Sequence, residues 1–213
     1  MSVLSGVFLL LIILFLFRFV LKPLTSSIKI VTFTGPSGVG KTTIVKELLR
    51  RHSDWGMVLS QTSRETRDTD LPGEYKCNVS KKEFLRMRKE GRDLWIETAH
   101  GNTYATLAAD VLQALLSKGL SLMQILHTSV IKIHAYAPGK VLSIFILPPS
   151  EEEMRRRLIN RGDSPEQVER RISDCKKWEE EARASDISYE FIRNDRTVAE
   201  AVETIEDVIE SRM

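Results

Sequence analysis

The strongest chemical signal in this sequence is the eight-residue stretch GPSGVGKT, from Gly35 to Thr42. It matches the pattern GxxxxGK[ST] at every fixed position, which is typical of a loop whose backbone N–H groups bind phosphate. Glycines are needed in such a loop because a Cβ would obstruct the approach of the backbone to the anion. In this pattern Lys41 contacts the β- and γ-phosphates of a nucleoside triphosphate, and the Thr42 hydroxyl binds Mg²⁺.

A second group of candidate phosphate-binding side chains follows in a turn-rich segment. Arg64 and Arg67 lie three residues apart, with Ser60 before them and Tyr75 after them. A guanidinium group binds phosphate through two parallel hydrogen bonds, and a tyrosine hydroxyl adds another donor. This group of residues predicts a site for the phosphate of an acceptor monophosphate.

The elements around these residues predict how they are positioned. A β-branched strand at 28–34 precedes the glycine-rich loop, and apolar residues at helical spacing follow it. Further strands are predicted at 57–60, 93–98, 120–126, 141–147 and 189–192. Helices are predicted at 81–89, 106–118, 151–160, 165–184 and 198–212. This alternation predicts an α/β fold with a parallel sheet that is covered by helices on both faces.

The N-terminal residues 1–24 differ from the rest of the chain. Residues 7–17 read VFLLLIILFLF, and residues 2–21 contain a single charge, Arg18. This length and composition predict a transmembrane helix, with membrane contact through residues 3–22 and a short linker after it. A cleaved signal peptide would require positive charge before the apolar run, and none is present. A buried or interfacial helix remains the other alternative.

Positive charge predicts the orientation of this anchor. Arg18, Lys22 and Lys29 all follow the apolar run, whereas no lysine or arginine precedes it. Because positively charged flanks stay on the cytoplasmic side, we expect a single-pass membrane protein whose domain at 28–213 is cytoplasmic.

Composition and residue spacing narrow the function classes. The chain has 213 residues, of which 42% are hydrophobic and 28% charged, which is typical of a globular domain. A net charge of +2 gives no reason to expect a nucleic-acid partner. Cys77 and Cys175 are far apart in the sequence, and the four histidines do not form a metal-binding pattern.

Five segments, taken in order, resemble the guanylate kinase family: GPSGVGKTT, SQTSRETR, HGNTYAT, SIFILPPSEEEMRRRLINRGD and RND. The resemblance covers residues 28–213. It implies the three-layer P-loop NTPase fold with a parallel five-stranded core, a small acceptor-binding subdomain at 60–119 and an arginine-bearing lid at 155–185. It also implies the reaction of ATP with GMP to give ADP and GDP, with Mg²⁺.

The resemblance further implies roles for single residues. Ser60, Arg64 and Arg67 match acceptor contacts, and Tyr104 and Thr106 match the tyrosine and the hydroxyl residue that follow a Gly-Asn turn. Arg161 and Arg171 match lid arginines that act in catalysis together with Lys41. The expected donor contacts are Gly35, Pro36, Ser37, Gly38, Val39, Gly40, Lys41, Thr42, Thr43 and Asn194. By contrast, we interpret Arg155 and Arg156 as part of a solvated helix face paired with glutamates.

Some positions depart from the family pattern. The glutamate that reads guanine falls on Trp95, and Glu97 lies two residues on, on the same strand face, where it could still reach the base. The acidic pair at the end of the mid-chain strand falls on Ile125 and His127. Tyr75 lies one place early against the phosphate-binding tyrosine. The phosphate half of the acceptor site is therefore expected to be kept, while the guanine half is altered.

Three functions remain open from the sequence. The first is a GMP kinase with a shifted base reader. The second is a kinase of the same fold with a different acceptor, either another nucleoside monophosphate or ribose 1,5-bisphosphate; Arg67 weakens the sugar version. The third is a catalytically inactive, membrane-bound interaction module. Because the modules of this family usually lose the loop lysine, the intact Lys41 argues against the third.

Overall fold

A computed structural model of the chain describes residues 28–99, 101–160 and 162–213. The predicted transmembrane segment and Arg161 lie outside the described residues. Within the described ranges, no helix combines the length and the apolar character that crossing a membrane requires.

The described part of the chain alternates strands and helices. The strands are β1 (Ile30–Thr34), β2 (Gly56–Met57), β3 (Ser60–Thr62), β4 (Tyr75–Lys76), β5 (Asp93–Ala99), β6 (Asn102–Leu107), β7 (Ser121–Gln124), β8 (Val141–Leu147) and β9 (Tyr189–Arg193). The helices are α1 (Lys41–Arg51), α2 (Lys81–Lys89), α3 (Ala108–Leu116), α4 (His127–Tyr136), α5 (Glu151–Asn160), α6 (Pro165–Ala184) and α7 (Val198–Arg212).

Five strands form the core sheet, in the order β2-β7-β1-β8-β9. All of their pairings are parallel, which confirms the predicted parallel five-stranded core. β1 lies at the centre, and each of its five residues is buried. The β-branched and aromatic composition of this strand suits a position with both faces covered.

Helices cover both faces of the core sheet. Because successive side chains of a strand point to opposite sides, neighbouring residues of β1 contact different helices. Val31 and Phe33 of β1 pack in one cluster with α1 and α7. Ile30 packs in a second cluster with Val111 of α3 and Ile133 of α4. The predicted three-layer α/β architecture is therefore confirmed.

The second sheet has four strands in the order β4-β3-β6-β5. One of its faces packs on α2, through a cluster that includes Phe84, Met87 and Ala105. Residues 102–107 form β6, so α3 begins at Ala108; the prediction that a helix starts at 106 was wrong. This sheet lies within the range predicted for the acceptor-binding subdomain, whose role stays a prediction.

Helices α5 and α6 form a hairpin over the range predicted for the lid. Met154 and Leu158 of α5 pack on Val168, Ile172 and Cys175 of α6. The start of α6 is fixed locally, since the Ser164 and Gln167 side chains form a reciprocal capping box. Closure of this hairpin over a substrate stays a prediction.

Candidate functional site

The P-loop, residues 35–42, connects the end of β1 to the start of α1. Gly35, Gly38 and Gly40 have φ values of 131°, 91° and 96°, which side chains rarely adopt. A Cβ at Gly35 would lie 2.4 Å from the carbonyl oxygen of Ile146. The loop therefore fits against β8 only with glycine at position 35. The resulting backbone curve is the kind of cradle that holds a phosphate.

Lys41 lies over its own loop in this structure. Its Nζ donates hydrogen bonds to the carbonyl oxygens of Gly35, at 2.7 Å, and Pro36, at 2.9 Å. The ammonium group is thus held beside the loop that a phosphate would enter. Ser37 is half-buried on the loop and Thr43 is exposed in the first turn of α1.

Thr42 and Gln124 present oxygen atoms next to each other at the end of the core sheet. The Thr42 hydroxyl donates to Gln124 Oε1 across 3.2 Å. The described residues contain no group of three His, Cys, Asp or Glu side chains that could hold a metal. Mg²⁺ prefers oxygen ligands and usually keeps several waters beside a substrate phosphate, so the adjacent hydroxyl and amide oxygens of Thr42 and Gln124 fit Mg²⁺ bound mainly through phosphates.

Asn194, just after β9, forms a hydrogen bond with the backbone of the P-loop. Its side chain is buried, and its Nδ2 donates to the carbonyl oxygen of Val39 across 2.7 Å. A Cβ at Gly40 would lie 2.5 Å from the same Nδ2. Asn194 thus fixes the loop shape, while its direct contact with a donor nucleotide stays a prediction.

The polar face of the second sheet, the face opposite α2, carries Ser60, Tyr75, Glu97, Tyr104 and Thr106. The strand registers align Ser60 with Tyr75 and Glu97 with Tyr104. The Ser60 and Thr106 hydroxyl oxygens are 3.0 Å apart, and the two tyrosine rings meet edge-on with centroids 6.2 Å apart. The structure therefore brings these five predicted acceptor residues to one face.

Arg64 is positioned over this face by Asp70, a residue that the sequence reasoning missed. Nη1 and Nη2 of Arg64 donate to the two Asp70 carboxylate oxygens at 2.8 and 2.6 Å. The Arg64 guanidinium carbon lies 4.6 Å from the centroid of the Tyr75 ring. The hydrogen bonds to Asp70 raise the pKa of Arg64 above its usual value. The pair uses the guanidinium edge formed by Nη1 and Nη2, and the second edge, formed by Nε and Nη2, is not part of it.

Arg67 lies in the same loop but differs in burial. The whole residue is exposed, and its backbone N–H donates to Asp70 Oδ2 across 2.9 Å. Asp70 therefore organises the loop that carries both arginines. No single feature of the sequence distinguished Asp70 from its neighbours Glu65 and Asp68.

Trp95 is part of the apolar core. Its exposure is 5%, and it packs in a cluster with Val58, Val111, Met123 and Ile133. It lies directly across from Thr106 on the neighbouring strand. An indole thus fills the place where the family resemblance expects a carboxylate.

Glu97 is bound by helix α4. Its carboxylate accepts hydrogen bonds from Thr128 and Lys132, both at 2.9 Å. Burial acts to raise the pKa of Glu97, but the hydrogen bonds from Lys132 and Thr128 act in the opposite direction, and the pKa lies below the usual value. Glu97 is therefore ionised at neutral pH, and its contact with a base stays a prediction.

The prediction for the end of the mid-chain strand was wrong. β7 ends at Gln124, and His127 already lies in α4, where its Nε2 is 2.6 Å from Glu181 and its ring packs on Trp178. The side chain that faces Thr42 is that of Gln124. The strand was predicted two residues too long at its C-terminal end, because it ends at Gln124 and not at Leu126.

Glu74 is a second residue that the sequence reasoning missed. It is 5% exposed, and its carboxylate accepts hydrogen bonds from the Leu71 N–H, at 3.0 Å, and Gln124 Nε2, at 2.7 Å. Burial raises its pKa above the usual value. Its backbone carbonyl accepts from the Ser60 N–H across 2.9 Å. Glu74 therefore connects the second sheet to the end of β7 beside the P-loop.

Of the two predicted lid arginines, the structure describes only Arg171. Arg171 forms a salt bridge of 3.3 Å with Asp163, in the connection between α5 and α6. Arg161 lies outside the described residues. Arg155 pairs with Glu151 and Glu169, and Arg156 is 70% exposed and pairs with Glu153. The interpretation of the last two arginines as a solvated, glutamate-paired face is confirmed.

Comparisons with known proteins agree along almost the whole described chain. A family model described as guanylate kinase matches residues 27–212. The guanylate kinase of Prochlorococcus marinus is 35% identical over 193 residues, which cover 86% of this chain and 97% of that protein. The guanylate kinase of Trichormus variabilis is 36% identical over 171 residues, covering 80% and 84% respectively.

Solved structures share the fold. The crystal structure of guanylate kinase from Anaplasma phagocytophilum aligns with a TM-score of 0.66 at 24% identity, covering 87% of this chain and 86% of that one. A gluconokinase from Sinorhizobium meliloti aligns with a TM-score of 0.50 at 14% identity, covering 85% and 91%. At these sequence identities the two structural similarities support the fold of the chain and not its function.

Proposed function

The chain belongs to the guanylate kinase family, and on this basis we propose that it transfers the γ-phosphoryl group of ATP to GMP, giving ADP and GDP. The observation that carries the proposal is the hydrogen-bonded connection from Thr42 through Gln124 to Glu74. It joins the P-loop, where we expect the triphosphate to bind, to the sheet that carries the predicted acceptor residues. Two phosphate sites that face each other are what a phosphoryl transfer between nucleotides requires.

In this proposal the protein acts by positioning and by electrostatic stabilisation. The P-loop amides bind the donor phosphates, and Lys41 moves from its own carbonyls to the charge that develops on the transferred group. Mg²⁺, when bound next to Thr42, would neutralise charge on the donor phosphates. Arg171, together with Arg161, would supply further positive charge as the α5–α6 hairpin excludes water.

The acceptor would bind on the polar face of the second sheet. Arg64 would offer the Nε and Nη2 edge to the acceptor phosphate, with Arg67, Tyr75 and Tyr104 as further donors. The hydroxyl groups of Ser60 and Thr106, which lie 3.0 Å apart on this face, would be neutral contacts for a base. Glu97 is the carboxylate of this face and would accept N–H groups of guanine if it changes partner from Lys132.

A coupled assay with ATP, Mg²⁺ and separate GMP, dGMP, AMP, CMP, UMP and ribose 1,5-bisphosphate tests the proposal. We expect turnover with GMP that is lost on chelation of Mg²⁺. Turnover of another acceptor in place of GMP would replace the proposed substrate. Binding of ATP without any turnover would favour the interaction module instead.

We also propose that residues 3–22 anchor the enzyme in a membrane with the kinase domain on the cytoplasmic side. The support is the nearly uncharged apolar stretch and the positive charge that follows it. The full chain should stay with membranes after extraction at alkaline pH, whereas a chain lacking residues 1–24 should be released. Release of the full chain would contradict the anchor.

A further inference from the structure

An unbroken run of hydrogen bonds crosses from the P-loop to the second sheet. The Thr42 hydroxyl donates to Gln124 Oε1 at 3.2 Å, and Gln124 Nε2 donates to Glu74 at 2.7 Å. The other Glu74 carboxylate oxygen accepts from the backbone N–H of Leu71 at 3.0 Å. We call this run the 42–124–74 link.

The link has a direction, which the amide of Gln124 sets because it both donates and accepts. A carboxylate only accepts hydrogen bonds when ionised, so Glu74 needs two donors. Gln124 donates to Glu74 with its nitrogen and accepts from Thr42 with its oxygen. Because Glu74 is buried, loss of the Gln124 donor would leave a desolvated carboxylate oxygen without a partner.

Both ends of the link are connected to segments that lead to the two proposed substrate sites. On one side, Gln124 is fixed at the end of β7, in register with Phe33 of β1, the strand that leads into the P-loop. On the other side, Glu74 closes a turn with Leu71, which directly follows the Arg64 partner Asp70. A displacement of Gln124 would therefore reach both sites.

We propose that Gln124 is a positioning residue that couples the donor and acceptor sites by holding Thr42 and the turn from Asp70 to Glu74 at a fixed separation. The inference rests on the proposed function, because it takes Thr42 as a donor-site residue and Arg64 as an acceptor-site residue. Its consequence is that binding at one site strengthens binding at the other, since each ligand orders the same link.

The test exchanges the polarity of the link. Gln124→Glu places two carboxylates against each other, and Glu74→Gln removes the acceptor of one N–H group. Each single variant is expected to lower kcat/KM for GMP by roughly tenfold or more. The double variant restores one donor and one acceptor, in reverse order, and should recover to within about threefold of the wild type. Gln113→Glu, on the exposed face of α3, is the matched control and should change little.

Calorimetry measures how much the second ligand changes the affinity for GMP, a quantity that a purely structural role of Gln124 would leave unchanged. The Kd of GMP is measured with and without saturating ADP and Mg²⁺, in each variant. The wild type should bind GMP more tightly with the second ligand present; the single variants should lose this difference and the double variant should regain it. Equal GMP affinity in both conditions for the wild type would overturn the coupling.

Other outcomes separate the link from the proposed reaction. A double variant that is no better than the worse single variant overturns the link. A Gln124→Glu variant that is more active than the wild type also overturns it, because position 124 would then act as a direct metal ligand. If the wild type does not phosphorylate GMP, the proposed function fails, and the same four-variant cycle measured on nucleotide-free unfolding still decides whether the link exists.

Discussion

The two halves of the site are built in different ways. The donor half is made mainly of backbone: a glycine-rich loop held by β8 and by Asn194, with one lysine beside it. The acceptor half is made of side chains, and the two charged ones that the structure orients there are already bound within the chain. Arg64 is held by Asp70, and Glu97 is held by Lys132.

This difference explains why the two halves follow the family pattern unequally. A backbone cradle requires only a few residue types at fixed spacing, so its sequence pattern is strict. A side-chain site depends on partners elsewhere in the chain, as the hydrogen bond between Gln124 and Glu74 illustrates. Donor-half variants should therefore abolish function or folding outright, and acceptor-half variants should alter affinity by degrees.

Removal of the loop ammonium should have the largest effect. Lys41→Ala is expected to lower kcat by about 10³-fold, because one preorganised charge on the transferring phosphoryl group is lost. Steady-state kinetics with ATP and GMP measures it. Lys46→Ala, on the exposed side of the same helix, is the control and should keep wild-type rates. Retention of most activity by Lys41→Ala would disprove the P-loop assignment.

A carboxylate at the buried indole position should destabilise the fold. Trp95→Glu is expected to lower the free energy of unfolding by about 3–5 kcal/mol, through lost packing and burial of a polar group. Chemical denaturation measures it, and Trp95→Phe should cost clearly less. A stable Trp95→Glu variant with tighter GMP binding would show instead that position 95 faces the base.

The close approach of the P-loop to β8 should appear as a steric effect. Gly35→Ala is expected to destabilise the fold by about 3 kcal/mol or more, because its Cβ meets a backbone carbonyl at 2.4 Å. Gly91→Ala is the control, since Gly91 also has a positive φ, 62°, but no atom lies within 4 Å of its Cβ position. Thermal and chemical denaturation measure both variants. If Gly35→Ala and Gly91→Ala lose the same stability, backbone strain alone, and not the contact with β8, sets the effect.

Weakening the ion pair between Asp70 and Arg64 should alter the affinity for the acceptor and not the affinity for ATP. Asp70→Asn is expected to raise the KM for GMP by about tenfold at an unchanged KM for ATP, because Arg64 loses its bidentate partner. Asp68→Asn, exposed in the same loop, is the matched control. A rise in both KM values would indicate general damage rather than a local effect.

The smallest expected effect is a pH dependence of the folding stability that comes from His134, which is linked by hydrogen bonds to the strand that leads into the P-loop. His134 Nε2 is 2.8 Å from the Ser143 hydroxyl, which is also 2.8 Å from that of Thr32 in β1. Burial lowers the pKa of His134. The unfolded chain therefore binds the proton first as pH falls, so this contribution to stability is complete above about pH 6.5 and declines below it.

Unfolding experiments at pH 7.5, 6.5 and 5.5 measure this decline. His134→Gln, which retains a polar group near Ser143, should lose less stability than the wild type over the same range. Identical pH profiles of the two proteins would mean that His134 does not contribute.

The sequence predicted elements best where the signal is local. The bounds of α2, α6 and α7 are reproduced, and each helix begins with a capping box formed by residues three apart. α4 was not predicted; it begins at His127 without a side-chain cap, so no local signal marks its start. The two-residue strand β4 pairs with β3, and β6 pairs with both β3 and β5, so these two strands depend on their partners rather than on their own composition.

The candidate site divides in the same way. The P-loop glycines, Lys41 and Thr42 were identified because their pattern is contiguous. Gln124 and Glu74 are 50 positions apart and were missed, since an uncharged amide and one acidic residue among several have no distinctive spacing. Only the folded chain shows that each completes the hydrogen bonding of the other.

The direction of β1 separates the start of the described chain from the P-loop. The described chain enters beside β8, where the Lys29 N–H donates to the Lys140 carbonyl, and β1 then runs to the P-loop at its far end. A five-residue strand spans about 17 Å. Residue 28 and the P-loop therefore lie at opposite ends of β1, so the proposed anchor would join the domain at the end of this strand that is remote from the loop.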